Sequence, residues 1–299
     1  MDDETSGTPH IPVMVEEVVN YLHLQSGQRI LDCTVGAGGH AIKIMDKINP
    51  GGILIGIDKD AEILDIAGRY LEKTGNAFKL FHEDYANVDE VLRKAGIDKI
   101  DGVLVDLGVS SLQFDQPDRG FSFSKEGLLD MRMDRSRGVT ARDLIKRLSE
   151  QELQTLFWKY GEERWSRRIA KAIWNERRKG NINSTRDLAT IIGRVVPRGR
   201  CTIHPATRAF QALRIAVNKE LESLEIFLNK IHNFMTVGAC IVIISFHSLE
   251  DRIVKHTFIE KAKQNIFRII TKKPVIPKDT EMAANVRCRS AKLRVAERI

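Results

Sequence analysis

Between residues 29 and 41 the chain reads Arg-Ile-Leu-Asp-Cys-Thr-Val-Gly-Ala-Gly-Gly-His-Ala, and this stretch holds residues whose types and spacing suit ligand chemistry. Asp32 ends a short apolar run, and a glycine-rich turn then opens a helical pattern at His40. Glycines in such a turn let a ligand approach the backbone N–H groups at a helix N-terminus. Gly36-x-Gly38-x-x-Ala41 satisfies the formal dinucleotide fingerprint, and Asp58 stands twenty residues beyond Gly38. Asp32, however, lies four residues before the first glycine, where it repels a pyrophosphate and attracts a cationic amino-acid moiety. S-adenosylmethionine has that character: an ammonium, a sulfonium, and ribose hydroxyls that a carboxylate such as Asp58 can accept. The glycine turn by itself is a weak signal.

Such chemistry needs a frame. Apolar runs at 29–33, 53–58, 78–81 and 102–107 read as strands, and helical spacing fills 13–22, 40–48, 59–73 and 88–95. Strands alternating with helices at this spacing give βαβ units and a parallel sheet with helices on both faces. Asp32, Asp58, the Asp84–Tyr85 pair and Asp106 then fall at or just after four strand ends, on the rim where such sheets bind ligands. From 114 to 215 the rhythm stops and only helical patterns remain; Ser149 with Glu152 makes a capping box, and another helix starts at Thr185. The tryptophans of this stretch, Trp158, Trp165 and Trp174, are expected in its core. Strand patterns resume at 239–246, 267–271 and 292–297, with a helix start at 248–251 and a polar, mobile loop expected over 272–289.

Composition limits the function classes. With 42% hydrophobic and 29% charged residues the chain is of ordinary globular make-up, and no apolar stretch approaches the ~20 residues of a membrane span. The acidic start, Met-Asp-Asp-Glu, lacks the features of a signal peptide, so the expected location is the cytoplasm. Cys33, Cys201, Cys240 and Cys288 are isolated from one another, which indicates neither a disulfide framework nor a zinc site, and no metal is expected. Residues 1–113 carry 10 Lys+Arg against 19 Asp+Glu, residues 114–215 carry 22 against 12, and residues 216–299 carry 15 against 9. An acidic cofactor half and a basic, polyanion-facing half follow from that asymmetry, although solvated helix faces would give the same counts.

Three further stretches are specific. They are Asp106-Leu-Gly-Val-Ser-Ser-Leu-Gln113 with Asp118-Arg-Gly-Phe-Ser-Phe123 and Leu129-Asp-Met-Arg-Met-Asp134; His204-Pro-Ala-Thr-Arg208 with Phe210-Gln-Ala-Leu-Arg214 and Val217-Asn-Lys-Glu220; and Ser245-Phe-His-Ser-Leu-Glu-Asp-Arg252 with the segment 289–298. Together with His10-Ile-Pro-Val-Met-Val they resemble the bacterial 16S ribosomal RNA (cytosine-N4)-methyltransferase family over nearly the whole chain. The resemblance implies an α/β fold, a Rossmann-like class I methyltransferase sheet built from 1–113 and 216–299, with an inserted all-helical domain at 114–215 for RNA recognition. It implies S-adenosylmethionine as methyl donor, with S-adenosylhomocysteine as product, and a cytidine in the decoding region of the small ribosomal subunit as acceptor. The cofactor contacts it carries over are Gly38, Gly39, His40, Asp58, Tyr85, Asp106 and Gln113. No membrane and no obligate protein partner is implied.

Physical roles stand beside these assignments. Tyr85 offers a ring against which adenine could pack, and His40 is expected to contribute its backbone N–H rather than its imidazole. An exocyclic cytosine amine is a poor nucleophile, so a hydrogen-bond acceptor that orients it and receives its proton is needed. Asp106 is the candidate acceptor, with a purely cofactor-binding role as the equal alternative. The chain has Asp-Leu-Gly-Val-Ser-Ser where other amino-methyltransferases carry a Pro-Pro-aromatic motif, which leaves the base-stacking residue unassigned; Phe246 and His247 could line a base pocket. Two rivals stay open: a nicotinamide-dependent oxidoreductase, and a non-enzymatic RNA-binding factor that keeps the cofactor fold.

Overall fold

The computed structural model describes residues 12–197 and 204–299, so His10 and Cys201 lie outside the described residues. The chain divides into two units, one of residues up to 108 and from 223 onward, the other of 109–222. Residues 109–113, with Gln113 among them, therefore belong to the helical unit.

The first unit begins with α1 (Val15–Leu22), β1 (Arg29–Asp32), α2 (Gly39–Ile48), β2 (Ile53–Asp58), α3 (Ala61–Glu72), β3 (Ala77–His82), α4 (Val88–Ala95) and β4 (Ile100–Asp106). The second unit holds α5 (Ser111–Asp115), α6 (Ala141–Arg147), α7 (Glu150–Gly161), α8 (Ser166–Arg178), α9 (Thr185–Val195) and α10 (Thr207–Asn218). The chain then returns through α11 (Glu220–Lys230), β5 (Met235–Ser245), α12 (Ser248–Lys263), β6 (Phe267–Ile269), α13 (Asp279–Ala284) and β7 (Lys292–Arg298).

The strands form a seven-stranded sheet of order β3-β2-β1-β4-β5-β7-β6. Strands β1 to β5 pair in parallel, whereas β7 runs antiparallel to both β5 and β6. The inner strands β1, β2 and β4 are buried on both faces, which is why they read as near-continuous apolar runs, whereas the edge strand β3 is half exposed. Leu31, Val103, Val105, Ile241 and Ile243 point to one side, against Val91 and Leu92 of α4, Phe227 of α11 and Phe258 of α12. Ile30, Leu104, Val242 and Ile244 point to the other, against Val18 and Leu22 of α1 and Ile44 and Met45 of α2. This is a Rossmann-like, doubly wound sheet with the antiparallel β7 set between β5 and β6.

Two expectations need correction. The segment 272–289 is not a bare loop: it carries α13 and a 3-10 turn at Val286–Ser290, and Val275 bridges to Leu293. The ordering contact is tertiary, since the Glu281 carboxylate accepts the Met14 N–H at 2.7 Å across 267 residues. In the helical unit, α7 buries Leu153, Leu156, Phe157 and Gly161, and Trp158, one residue further round the helix, is turned outward with 63% of its surface exposed. Trp165, as expected, packs against the core while partly buried, with the Arg164 and Arg168 guanidinium groups over its ring, and Trp174 is partly buried beneath Arg177. The core is instead aliphatic and Phe-rich, from Phe157, Ile169, Ile173, Leu188, Ile192, Phe210 and Leu213.

Candidate active site

The sheet order reverses between β1 and β4: β1 leads to β2 on one side and β4 lies on the other, so their carboxyl ends open a crevice at the switch point. Asp32 ends β1, Asp106 ends β4 and Asp58 ends β2. Thr34 ties the first two ends together, because its Oγ1 accepts the Asp106 N–H at 2.7 Å. Its own N–H donates to Asp32 Oδ1 at 3.1 Å. The second bond is a local Asx-type turn that Asp32-x-Thr34 signals in the sequence, whereas the first exists only once β1 and β4 are neighbours.

Electrostatics at this rim are unfavourable to the carboxylates alone. Asp32 is 1% exposed, and burial raises its pKa to about 7 against the Thr34 N–H bond that lowers it, with Asp58 raising it further. Asp58 is raised to about 6, chiefly by burial, although N–H bonds from Asp60 and Gly36 hold it down. Asp106 is pushed well above the usual carboxylate range by burial and by the nearby charges of Asp32 and Glu250. Among the described residues, Asp32 Oδ2 and Asp106 Oδ1 are buried without a hydrogen-bond partner. Orphaned buried oxygens cost on the order of 1–3 kcal/mol each, more when charged, so they mark where donors or positive charge are wanted.

The glycine turn follows directly. Gly36 and Gly38 have positive φ, 54° and 90°, which favours glycine on backbone grounds. Gly39 is constrained differently: a Cβ there would meet the Pro12 ring at 3.0 Å. Helix α2 starts after Gly38 with no side-chain cap. The His40 side chain turns away from capping, with its Nε2 2.8 Å from the Val13 carbonyl, which can only accept; Nδ1 then faces Asp106 Oδ2 at 3.8 Å. Gly38→Ala would force an L-residue into φ 90° and should cost about 1–2 kcal/mol, although the new methyl meets nothing closer than Leu71 at 3.6 Å. Urea unfolding of the purified variant measures that loss.

Asp58 uses each carboxylate oxygen once, for Gly36 N–H at 2.8 Å and Asp60 N–H at 2.9 Å. A carboxylate offers about four acceptor positions, so both oxygens can take a further donor, as a vicinal diol supplies. At the end of β3, Lys59 pairs with Asp84 at 2.8 Å, and Ser223 donates to the same carboxylate at 2.7 Å. Tyr85 beside them is 7% exposed, edge-on to Phe227 with centroids 5.5 Å apart, and the Lys59 ammonium lies 5.6 Å from its ring centre. It therefore bounds the rim with a narrow strip rather than an open ring face.

Gln113 stands in the helical unit, where it completes a capping box: its N–H donates to Ser110 Oγ, and its Oε1 accepts the Ser110 N–H. The spacing Ser110-x-x-Gln113 is itself a legible signal for that role. His247 caps α12, accepting the Glu250 N–H on Nδ1, and Phe246 donates its N–H to the Glu250 carboxylate. Both residues thereby have structural work at the end of β5.

The residues present fit a ligand with a cationic head and ribose hydroxyls, on the orphaned oxygens of Asp32 and Asp106 and the open acceptor positions of Asp58. A Rossmann-like sheet with an acidic crevice and a glycine turn at its switch point defines the protein's class as that of the class I methyltransferase fold. A family model described as the MraW methylase family matches residues 7–299, and the chain belongs to that family. A relative from Caldicellulosiruptor bescii, named ribosomal RNA small subunit methyltransferase H, is 45% identical over 305 residues, covering 97% of this chain and 99% of its own length. One of the same name from Geotalea uraniireducens is 46% identical over 307 residues, covering 97% and 98%. Among the described residues no helix is long and apolar enough to cross a membrane.

Proposed function

We propose that the chain transfers a methyl group from S-adenosylmethionine to N4 of a cytidine in the decoding region of 16S ribosomal RNA, within the small ribosomal subunit. The observation that carries this reading is the pair of orphaned carboxylate oxygens on Asp32 and Asp106 at the switch point of a methylase-family chain. The names of the relatives, small-subunit ribosomal RNA methyltransferases, support the RNA acceptor.

S-adenosylmethionine, when bound, supplies an electrophilic methyl group on a sulfonium. Asp32 attracts the cationic end, Asp58 accepts the ribose hydroxyls, and the turn of Gly38, Gly39 and His40 meets the ligand with backbone N–H groups. Tyr85 bounds the nucleoside with its exposed strip. Asp106 accepts a hydrogen bond from the cytosine amine, which holds the nitrogen lone pair in line with the methyl group and gives the departing proton an acceptor. A carboxyl held above its usual pKa is a better base once ionised, and the ligand's positive charge favours that ionisation. Gln113 is assigned to the cofactor by resemblance, beside its capping role. The helical unit recognises RNA.

Methyl-labelled S-adenosylmethionine incubated with unmethylated small subunits, followed by nucleoside mass spectrometry, is expected to place label in N4-methylcytidine. Label in another nucleoside would discard the acceptor. Absence of label despite cofactor binding would discard the transfer.

A further inference from the structure

One helix face outside the acidic rim is strongly charged and concave. Along α8, Arg168, Lys171, Asn175 and Lys179 recur at helical spacing and line a groove of about 540 Å³ whose other side is Arg194 of α9 and whose floor is Ala172, Ile191 and Val195. The four cations are exposed; Lys179 is paired with Glu176 at 2.8 Å in an exposed ion pair of the weak surface kind, which a phosphate can replace, and Glu176 also accepts from Asn181 at 2.6 Å. From Arg168 to Lys179 the face runs about 16 Å at 1.5 Å per residue. Arg168 lies over the Trp165 ring, 4.5 Å from its centre, which pre-orients the guanidinium plane while leaving its edge N–H groups for an acceptor. Arg177, by contrast, is committed: it stacks on Trp174 at 3.9 Å and donates to the carbonyls of Ile145 and Leu148.

We infer that the α8–α9 groove is the anchor for the phosphate backbone of a single-stranded RNA segment, with Arg168, Lys171, Lys179 and Arg194 on successive phosphates and the apolar floor under the sugars. This deepens the RNA-methyltransferase reading and rests on it. Charge complementarity favours RNA, because residues 114–215 carry 22 basic against 12 acidic side chains and the groove gathers four of the basic ones. A paired cytosine has its N4 amine engaged, so the strand presented to a base-modifying enzyme is an unpaired one.

The test compares wild type with the combined Lys171→Ala, Lys179→Ala and Arg194→Ala variant, loaded with S-adenosylmethionine, binding protein-free 16S RNA and assembled subunits over a range of salt. Each lost phosphate contact lowers the slope of log K against log salt by about 0.7 for single strands, so the variant should lose about 2 from the slope. Affinity is expected to fall about 10- to 100-fold, with cofactor affinity and the melting temperature unchanged. Neutralising Lys255 and Lys263 on α12 serves as the control and should leave the slope alone. An unaltered slope would overturn the anchor, as would a loss seen with assembled subunits but not with free RNA, which would make the occupant an acidic protein face. Labelling of N4-methylcytidine reports separately on the reaction, so a variant that methylates and keeps its slope removes the groove and leaves the function.

Discussion

Asp32→Asn is expected to stabilise the ligand-free protein above pH 7 while greatly weakening its hold on S-adenosylmethionine. In the folded chain the Asp32 pKa is about 7, above the ordinary 3.8, so the folded state binds the proton more tightly than the unfolded one. Stability is then greatest below the ordinary value and falls as pH rises towards and through about 7. At 1.36 kcal/mol per unit, ionising Asp32 in place costs about 4 kcal/mol. Burying an amide donor without an acceptor takes back about 1–3 kcal/mol, so a net gain of about 2 kcal/mol is expected at pH 8. No gain is expected near pH 4, where the folded carboxyl is protonated and the unfolded one is only about half ionised, so little of that cost has accrued. Urea titrations at the two pH values measure the difference, and equal effects at both would sink the electrostatic account. Cofactor affinity, read by calorimetry, should rise with pH through about 7 in the wild type, because the ligand's positive charge favours the ionised carboxylate. In the variant that contribution disappears and affinity should fall at least 100-fold at pH 8.

Asp58→Ala should lower cofactor affinity by about 100-fold and leave RNA affinity unchanged. Hydrogen bonds to a charged acceptor contribute about 1.5–3 kcal/mol each, and Asp58 has room for one from each ribose hydroxyl. The carboxylate also holds the turn by accepting the Gly36 N–H, so its loss loosens the loop that would meet the ligand. Paired calorimetry with cofactor and filter binding with 16S RNA separates the two affinities. Comparable losses in both would remove Asp58 from the cofactor site and make it a general stabiliser of the fold.

Much of the frame was legible because its signals are local. A buried parallel strand shows as an apolar run, as at Ile53–Asp58, and caps such as Ser149 with Glu152 act across four residues. The same locality makes the strand-end acids Asp32, Asp58 and Asp106 visible as a set in the sequence. A one-residue rotation or a distant partner is what local patterns do not carry. Trp158 follows Phe157 and faces solvent, because about 100° of helix separates the two side chains. The segment 272–289 gains order from Glu281 reaching Met14, a contact no window of ten residues can contain.

Residue order alone thus established the alternation of strands and helices, the glycine turn, the acids at the strand ends and the family the chain resembles. The adjacency of β1 and β4, the Thr34–Asp106 bond that joins them, and the Lys59–Asp84–Ser223 cluster came from folding. So did the orphaned oxygens that single out Asp32 and Asp106. The reason is physical: a carboxylate is displaced from its ordinary pKa by what surrounds it, and those surroundings are assembled from segments far apart along the chain.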